Sequence, residues 1–217
     1  WSSDVCSSDL GTIKPSRLQH LSNYEPSCSG FVLLLGVDKE HAQLAHHNVF
    51  FSDDYKAEFD AIFKQGVPPD DPTIYVSISS KTDADHAPAN SENWFVLINA
   101  PALSDAYNWS QHAQTYRDHV LRVLADKHGI DIRDHIRTEV MLTPNDLSEM
   151  SGAWRGALYG PSANNRFTVF MRPHNRSKDV RGLYFAGGTT HPGGGVPMVM
   201  LSGKVAADMV QHDLTRK

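Results

Sequence analysis

The sequence predicts a mixed α/β (α+β) fold in which antiparallel strands are covered by helices. Two observations support this prediction: short apolar or alternating runs of strand length, and longer segments with apolar residues at helical spacing. The chain has 217 residues, of which 40% are hydrophobic and 21% are charged, as in a globular protein with a sizeable core. Its net charge of −5 is spread along the chain without a lysine and arginine cluster, which argues against nucleic acid as a partner.

The first predicted strand is the continuous apolar run at 28–38. Apolar positions at helical spacing then predict an amphipathic helix over 52–66, with Ser52 as N-cap, Gly66 as terminator and its aromatic residues assigned to the core.

The next segments alternate strands with helices. Strands at 73–80 and 93–101 are expected to pair antiparallel, and a long amphipathic helix at 109–129 follows them. A short helix at 131–136 and a strand at 138–144 complete this region.

The last third begins with a loosely patterned passage at 147–165, which is typical of a connection between domains. Strands are predicted at 166–173 and 183–187, and a final helix from Pro197 to about residue 211, because proline is favoured in the first helical turn.

The number of cysteines and the length of the longest apolar run predict the cellular compartment. Cys6 and Cys28 are too few to cross-link a secreted domain of this size, so we expect a reducing, cytoplasmic location without a disulfide. The longest apolar run, 31–37, is far shorter than the ~20 residues that span a bilayer. The Ser- and Asp-rich residues 1–10 resemble a non-native linker and are excluded from the fold prediction; we expect the chain to be the C-terminal part of a longer protein.

A glycine cluster between a predicted strand and a predicted helix is the strongest functional signal. Five glycines lie within 187–195, in the stretch "GLYFAGGTTHPGGGVPMVMLSGKVAADMV" (182–210). Bare backbone next to a helix N-terminus suits a dinucleotide or phosphate ligand, whereas a purely structural turn is the alternative. The spacing matches neither GxGxxG nor a Walker loop, so this is not the primary ADP-binding turn.

The segment "FMRPHNRSKDVRGLYFAGGTTHPGGGVPMVMLSGKVAADMV" resembles the C-terminal signature of the bacterial-type phytoene desaturase family, which comprises FAD-dependent carotenoid desaturases within the amine-oxidase-like flavoproteins. Similar stretches occur at 43–63, 74–102 and 142–147, so the resemblance covers roughly residues 20–212. It implies the C-terminal fragment of a two-domain FAD-binding oxidoreductase. Residues 11–150 would be an antiparallel-sheet substrate-binding region, and 151–217 the closing strand and helix of a Rossmann-like FAD domain.

The resemblance also implies where FAD binds. Gly187, Gly188 and Thr189 would lie beside the pyrophosphate and ribityl chain, and a second group beside the isoalloxazine: Gly194, Gly195, Val196, Pro197 and Met198. The acidic residue that many amine-oxidase-like flavoproteins place after this strand is replaced by Gly188, so threonine hydroxyls or backbone groups would substitute for it.

Other polar residues have competing interpretations. His191 is a candidate acid or base, or else a brace of the turn. The arginines and asparagine of "RPHNR", namely Arg172, Asn175 and Arg176, suit either phosphate binding or a structural clamp. No metal is expected, because His41, His46 and His47 have no familiar ligand spacing.

By the same resemblance, the complete enzyme transfers a hydride from a polyene to FAD, creates C=C bonds in carotenoid biosynthesis and passes electrons to oxygen or a membrane quinone. The apolar substrate implies peripheral membrane contact; the sequence leaves the oligomeric state open. Alternatives are a carotenoid isomerase, a hydroxycarotenoid desaturase, or an inactive fragment, since a chain without the GxGxxG unit would lack half of the FAD site and is not expected to hold FAD stoichiometrically.

Overall fold

The structure is a computed structural model that describes residue 19 and residues 23–162 and 172–215. It divides into two compact units, a central one made of Cys28–Leu158 and a flanking one made of the segments on either side. The central unit contains five strands: β1 (Ser29–Val37), β2 (His47–Phe50), β3 (Ile74–Ser77), β4 (Glu92–Ala100) and β5 (Ile136–Leu142). Its helices are α1 (Tyr55–Asp60), α2 (Trp109–His128) and α3 (Pro144–Ser151), whereas α4 (Val196–Thr215) belongs to the flanking unit.

The five strands form one antiparallel sheet in the order β2-β3-β4-β1-β5. The predicted mixed α/β class with an antiparallel sheet is therefore confirmed. One face of the sheet and the apolar side of α2 form the core of the central unit. Phe31 of β1 stacks on Trp109 of α2 with ring centroids 5.4 Å apart, and Tyr116 meets Phe31 edge-on at 5.2 Å. Such aromatic pairs bury large apolar areas and fix the position of the helix over the sheet.

Local sequence signals set the helix ends. The side chain of Asn108 caps α2, and Gly129 ends it in the left-handed conformation with φ of 69°, as expected from the predicted range 109–129. Helix α3 was not predicted, because its apolar pattern is weak. Its start is nevertheless encoded by a capping box, in which Thr143 and Asp146 bond each other's backbone N–H groups and Pro144 occupies the first turn.

Three predictions near the second strand are wrong in detail. The helix predicted over 52–66 is the short α1 followed by a π-helical turn at Ala61–Gln65, and its N-cap is Asp54 instead of Ser52. Its aromatic residues were assigned to the core, yet Tyr55 is 54% exposed because Glu58 and Ile62 occupy the inward side. The strand predicted at 73–80 ends at Ser77, two residues before a 3-10 turn begins at Ser79, and β2 was not predicted.

The strand predicted at 183–187 is also wrong. Only a single bridge, between Arg176 and Tyr184, is found there within the described residues. The Phe185 N–H donates to the Asn175 carbonyl at 2.8 Å, but the Phe185 carbonyl accepts from the Asn175 side chain at 3.0 Å. A side-chain amide thus occupies the place of the next backbone partner, and no ladder extends. The strand predicted at 166–173 falls mostly on 163–171, outside the described residues.

The final helix, α4, begins at Val196, one residue before the predicted start, and continues beyond residue 211. Across the described parts of the chain, no helix is both long enough and apolar enough to span a membrane.

Candidate functional site

The glycine loop, residues 187–195, leads directly into α4, and both lie within the flanking unit. The backbone of Gly193 has φ of 139° and that of Gly195 has φ of 96°, values that residues with a side chain rarely adopt. A Cβ on Gly195 would meet nothing within 4 Å, whereas one on Gly193 would lie 3.3 Å from Nε of Arg172. The loop therefore keeps an open side at Gly195 and a packed side at Gly193.

The entrance to α4 presents unused hydrogen-bond donors. The Val199 N–H donates to the Gly195 carbonyl at 2.9 Å. Within the described chain, the N–H groups of Gly195, Val196 and Met198 find no acceptor. These donors and the helix dipole together make a region of partial positive charge that favours an anionic or electron-rich ligand.

A buried polar cluster fixes the loop from beneath. Nδ2 of Asn175, a residue that is 1% exposed, lies 2.9 Å from Oγ of Ser202 and 3.2 Å from Oγ1 of Thr190. The Ser202 hydroxyl also accepts the Gly187 N–H at 3.1 Å. Because the three side chains are removed from water, their mutual bonds hold the first half of the loop against α4.

Arg172 closes the other side of the loop. Its Nη1 donates to the Gly188 carbonyl at 2.6 Å and to the Tyr159 carbonyl at 3.1 Å. Burial lowers the pKa of this guanidinium from its ordinary value. Of the two interpretations left open by the sequence, these backbone contacts favour a structural clamp. Arg176 pairs instead with Asp213 at 2.8 Å on the surface of α4.

The predicted loop residues are thus brought together at one end of α4. Thr189 is exposed and packs closely on Gly160, where an added Cβ would lie 2.9 Å from its Cγ2. The His191 N–H braces the turn by donating to the Pro173 carbonyl at 2.9 Å, and its ring is exposed. Sequence reasoning did not identify Ser202; a small polar residue within the apolar run "VPMVMLSG" was the available signal.

A second feature lies in the central unit, on the sheet face opposite the core. Cross-strand registers place two rows of side chains along this face, which we call the apolar sheet face. In strand order from β2 to β5, the first row consists of Val49, Tyr75, Leu97, Val32 and Leu142. The second row, in the same order, consists of His47, Ser77, Phe95, Leu34 and Val140. Val49 is 49% exposed and Val140 is 52% exposed. Four strand spacings of ~4.8 Å give the face a width of roughly 19 Å.

The histidines near β2 do not converge. The His41 ring bonds Glu92 at 2.8 Å, whereas His46 bonds Thr82 and His47 bonds Tyr75. Among the described residues, no group of three or more histidine, cysteine or acidic side chains is placed to hold a metal ion.

Comparison with solved structures defines the class of fold. An oxidoreductase from Methanosarcina mazei superimposes on 89% of this chain and 36% of its own, with a TM-score of 0.51 and 12% sequence identity. The chain therefore shares its fold with part of an oxidoreductase. No family model matches it.

Curated relatives provide a more specific similarity. The chain is 40% identical over 188 residues to a 1-hydroxycarotenoid 3,4-desaturase from a Flavobacterium species. This alignment covers 87% of this chain and 38% of the relative. It is 41% identical over 200 residues to a 4,4'-diapolycopene oxygenase from a Methylomonas species (92% and 40%) and 41% identical over 187 residues to a 4,4'-diaponeurosporene oxygenase from Staphylococcus haemolyticus (86% and 37%). The chain is a homologue of carotenoid desaturases and oxygenases, which confirms the predicted resemblance to the carotenoid desaturase family. It spans about two fifths of the length of these relatives.

Proposed function

We propose that this chain is part of an FAD-dependent carotenoid desaturase, an oxidoreductase that introduces C=C bonds into a polyene. The observation that carries the proposal is the bare, donor-rich entrance to α4 at Gly195, Val196 and Met198. The names of the relatives supply the substrate class, since they act on carotenoids by desaturation or oxygenation.

The chemistry of the loop fits FAD. An isoalloxazine ring needs a backbone surface that it can approach without steric hindrance, hydrogen-bond donors for its carbonyl and ring nitrogen atoms, and apolar contacts for its faces. Gly195 offers unobstructed backbone, whereas a Cβ on Gly194 would lie 3.4 Å from Cδ1 of Tyr159. Val196, Pro197 and Met198 offer exposed apolar surface. Gly187, Gly188 and Thr189 would accompany the pyrophosphate and ribityl chain, with threonine and backbone groups replacing a carboxylate.

When bound, FAD supplies the two-electron acceptor for oxidation of the substrate. The chain contributes positioning and electrostatics: the free N–H groups of Val196 and Met198 and the α4 dipole stabilise negative charge that develops next to them. The Asn175 cluster and the Arg172 clamp keep these donors in place, so little reorganisation is needed during the reaction. His191 remains a candidate acid or base because its ring is exposed beside the loop.

The apolar sheet face supports a hydrocarbon substrate. Its exposed valine, leucine and phenylalanine side chains would bury a polyene away from water, a contact worth ~25 cal/mol per Å². Such a substrate is stored in lipid, so we propose a cytoplasmic enzyme that contacts the membrane peripherally and passes electrons to oxygen or a membrane quinone.

A hydroxycarotenoid is the second candidate substrate, and the specific observation that favours it is the similarity to a 1-hydroxycarotenoid 3,4-desaturase. Product analysis of the protein encoded by the full reading frame, incubated with phytoene and with a hydroxylated carotenoid, separates these possibilities. Loss of two hydrogens from either substrate supports desaturation and identifies the preferred one. A product of unchanged mass indicates an isomerase, and one that gains oxygen indicates an oxygenase; either outcome contradicts the proposal.

A further inference from the structure

A hydrogen-bonded pair of polar side chains borders the apolar sheet face at β2, which lies at the edge of the described sheet. The hydroxyl of Tyr75 and Nδ1 of His47 are 2.7 Å apart, and the two rings stack with an interplanar angle of 20°. His47 shares a cross-strand row with Ser77 and Phe95, and Tyr75 shares the other row with Leu97. The pair is therefore a polar end to a face that is otherwise mostly apolar.

The chemistry of this pair leaves one donor for a ligand. If the Tyr75 hydroxyl donates to Nδ1, the proton of the neutral His47 ring lies on Nε2; if Nδ1 donates, the tyrosine hydrogen is available instead. His47 is exposed, and Nε2 has no partner within the described residues. The neighbouring His46 ring is centred 4.2 Å from that of His47 and bonds the Thr82 hydroxyl through Nδ1. Because that hydroxyl donates to the Ser79 carbonyl at 3.2 Å, the proton of a neutral His46 ring lies on Nδ1 and is already used. The free donor thus comes from the Tyr75–His47 pair.

We propose that Tyr75 and His47 determine specificity by donating a hydrogen bond to a hydroxyl at one end of a linear polyene. The part of the apolar sheet face on β4, β1 and β5 accommodates the hydrocarbon part of the same molecule. Burying a hydroxyl without a hydrogen-bond partner costs free energy. A hydrogen-bond donor at the end of an apolar surface therefore selects substrates that carry a hydroxyl there. This inference rests on the proposed function, because it assigns a carotenoid to this surface.

The test uses the holoenzyme encoded by the full reading frame, with a hydroxylated acyclic carotenoid and the same carotenoid without its hydroxyl. Tyr75→Phe removes the hydroxyl and keeps the ring, and His47→Leu removes the second member of the pair. Tyr55→Phe is the matched control, because Tyr55 is an exposed tyrosine that packs on Phe59. We measure KM and kcat, and also the binding of each detergent-solubilised carotenoid to the protein by absorption after gel filtration.

Both Tyr75→Phe and His47→Leu are expected to raise KM and weaken binding for the hydroxylated carotenoid by roughly 3- to 10-fold, the range of one neutral hydrogen bond. Binding of the hydroxylated carotenoid should weaken severalfold more than binding of the unhydroxylated one, whereas every parameter of Tyr55→Phe should stay constant. An equal change for both carotenoids, or no change for either, overturns the inference while leaving the proposed function intact. A wild-type protein that binds and converts neither carotenoid contradicts both.

Discussion

The side-chain amide of Asn175 lies 2.9 Å from the hydroxyl of Ser202, and this contact joins the segment before the glycine loop to the middle of α4. The same amide nitrogen is 3.0 Å from the Phe185 carbonyl and 3.2 Å from the Thr190 hydroxyl. The two hydrogens of this amide are shared among three oxygen atoms, so one buried side chain supports several positions around the loop.

Asn175→Asp should therefore destabilise the flanking unit. A carboxylate has no N–H group to offer, so the Phe185 carbonyl would lose its side-chain donor and a negative charge would be buried, at a cost of about 2–3 kcal/mol. Urea unfolding followed by far-UV circular dichroism measures the loss. Asn145→Asp is the matched control, because Asn145 makes a single exposed bond to Ser110 at 3.2 Å, and its change should stay within about 0.5 kcal/mol. Equal losses for the two variants would contradict the role of the cluster.

The two arginines of "RPHNR" are expected to contribute differently to the free energy of unfolding. Arg172→Ala leaves the Gly188 and Tyr159 carbonyls without their shared donor and should cost about 1–2 kcal/mol. Arg176→Ala breaks an exposed pair with Asp213 and should cost less than about 1 kcal/mol. Limited proteolysis provides a second readout, since cleavage within 187–195 should accelerate in the first variant and not in the second. Faster cleavage in both, or in neither, would argue against the clamp.

Glu92 should make the central unit sensitive to acid. Burial opposes ionisation of this carboxyl, which is 2% exposed, but donors from His41, Lys81 and Trp94 outweigh that effect and lower its pKa below the ordinary value of 4.5. A group whose pKa is lower in the folded state stabilises the fold above its unfolded pKa. That contribution is lost as the pH falls from about 5 through the lowered folded value.

Glu92→Gln should accordingly cost about 3 kcal/mol at pH 7, because it leaves the Lys81 ammonium without its carboxylate. The difference from wild type should shrink in urea titrations repeated at successively lower pH. Glu149→Gln, on the exposed side of α3, serves as control and should follow wild type at every pH. A Glu92→Gln deficit that is independent of pH would show that ionisation of this carboxyl is not responsible.

Gly203 offers a test of the helix itself. It lies inside α4 without a positive φ, and an added Cβ meets nothing within 4 Å. Gly203→Ala should stabilise the protein by about 0.5–1 kcal/mol, because alanine loses less backbone entropy in a helix. A decrease in the urea midpoint would mean that this face of α4 is occupied in the complete protein.

Much of the central unit is encoded locally, and much of the site is not. A continuous apolar run identifies β1, and apolar residues at helical spacing identify α2, because these are the residues that the sheet and one helix face bury. Alternation cannot show that Leu34 and Phe95 share an exposed face, since their pairing across β1 and β4 depends on a register set by distant residues. The glycine run marked the loop before α4, but its support by Asn175, Thr190 and Ser202 is a contact between positions far apart in sequence. Likewise, the predicted strand at 183–187 failed because a side-chain amide replaced a backbone partner, which no local pattern reveals.

The most direct test of the account is the flavin-to-protein ratio of Gly195→Ala in the protein encoded by the full reading frame. Gly182→Ala is the matched control: Gly182 also has a positive φ, 81°, and open space around its Cβ direction, so both variants bear similar backbone strain. Only Gly195→Ala adds a methyl group at the entrance to α4. We expect the flavin absorbance per protein to fall severalfold in Gly195→Ala and to remain at the wild-type value in Gly182→Ala. Wild-type flavin content in both variants would contradict the assignment of this loop to the cofactor.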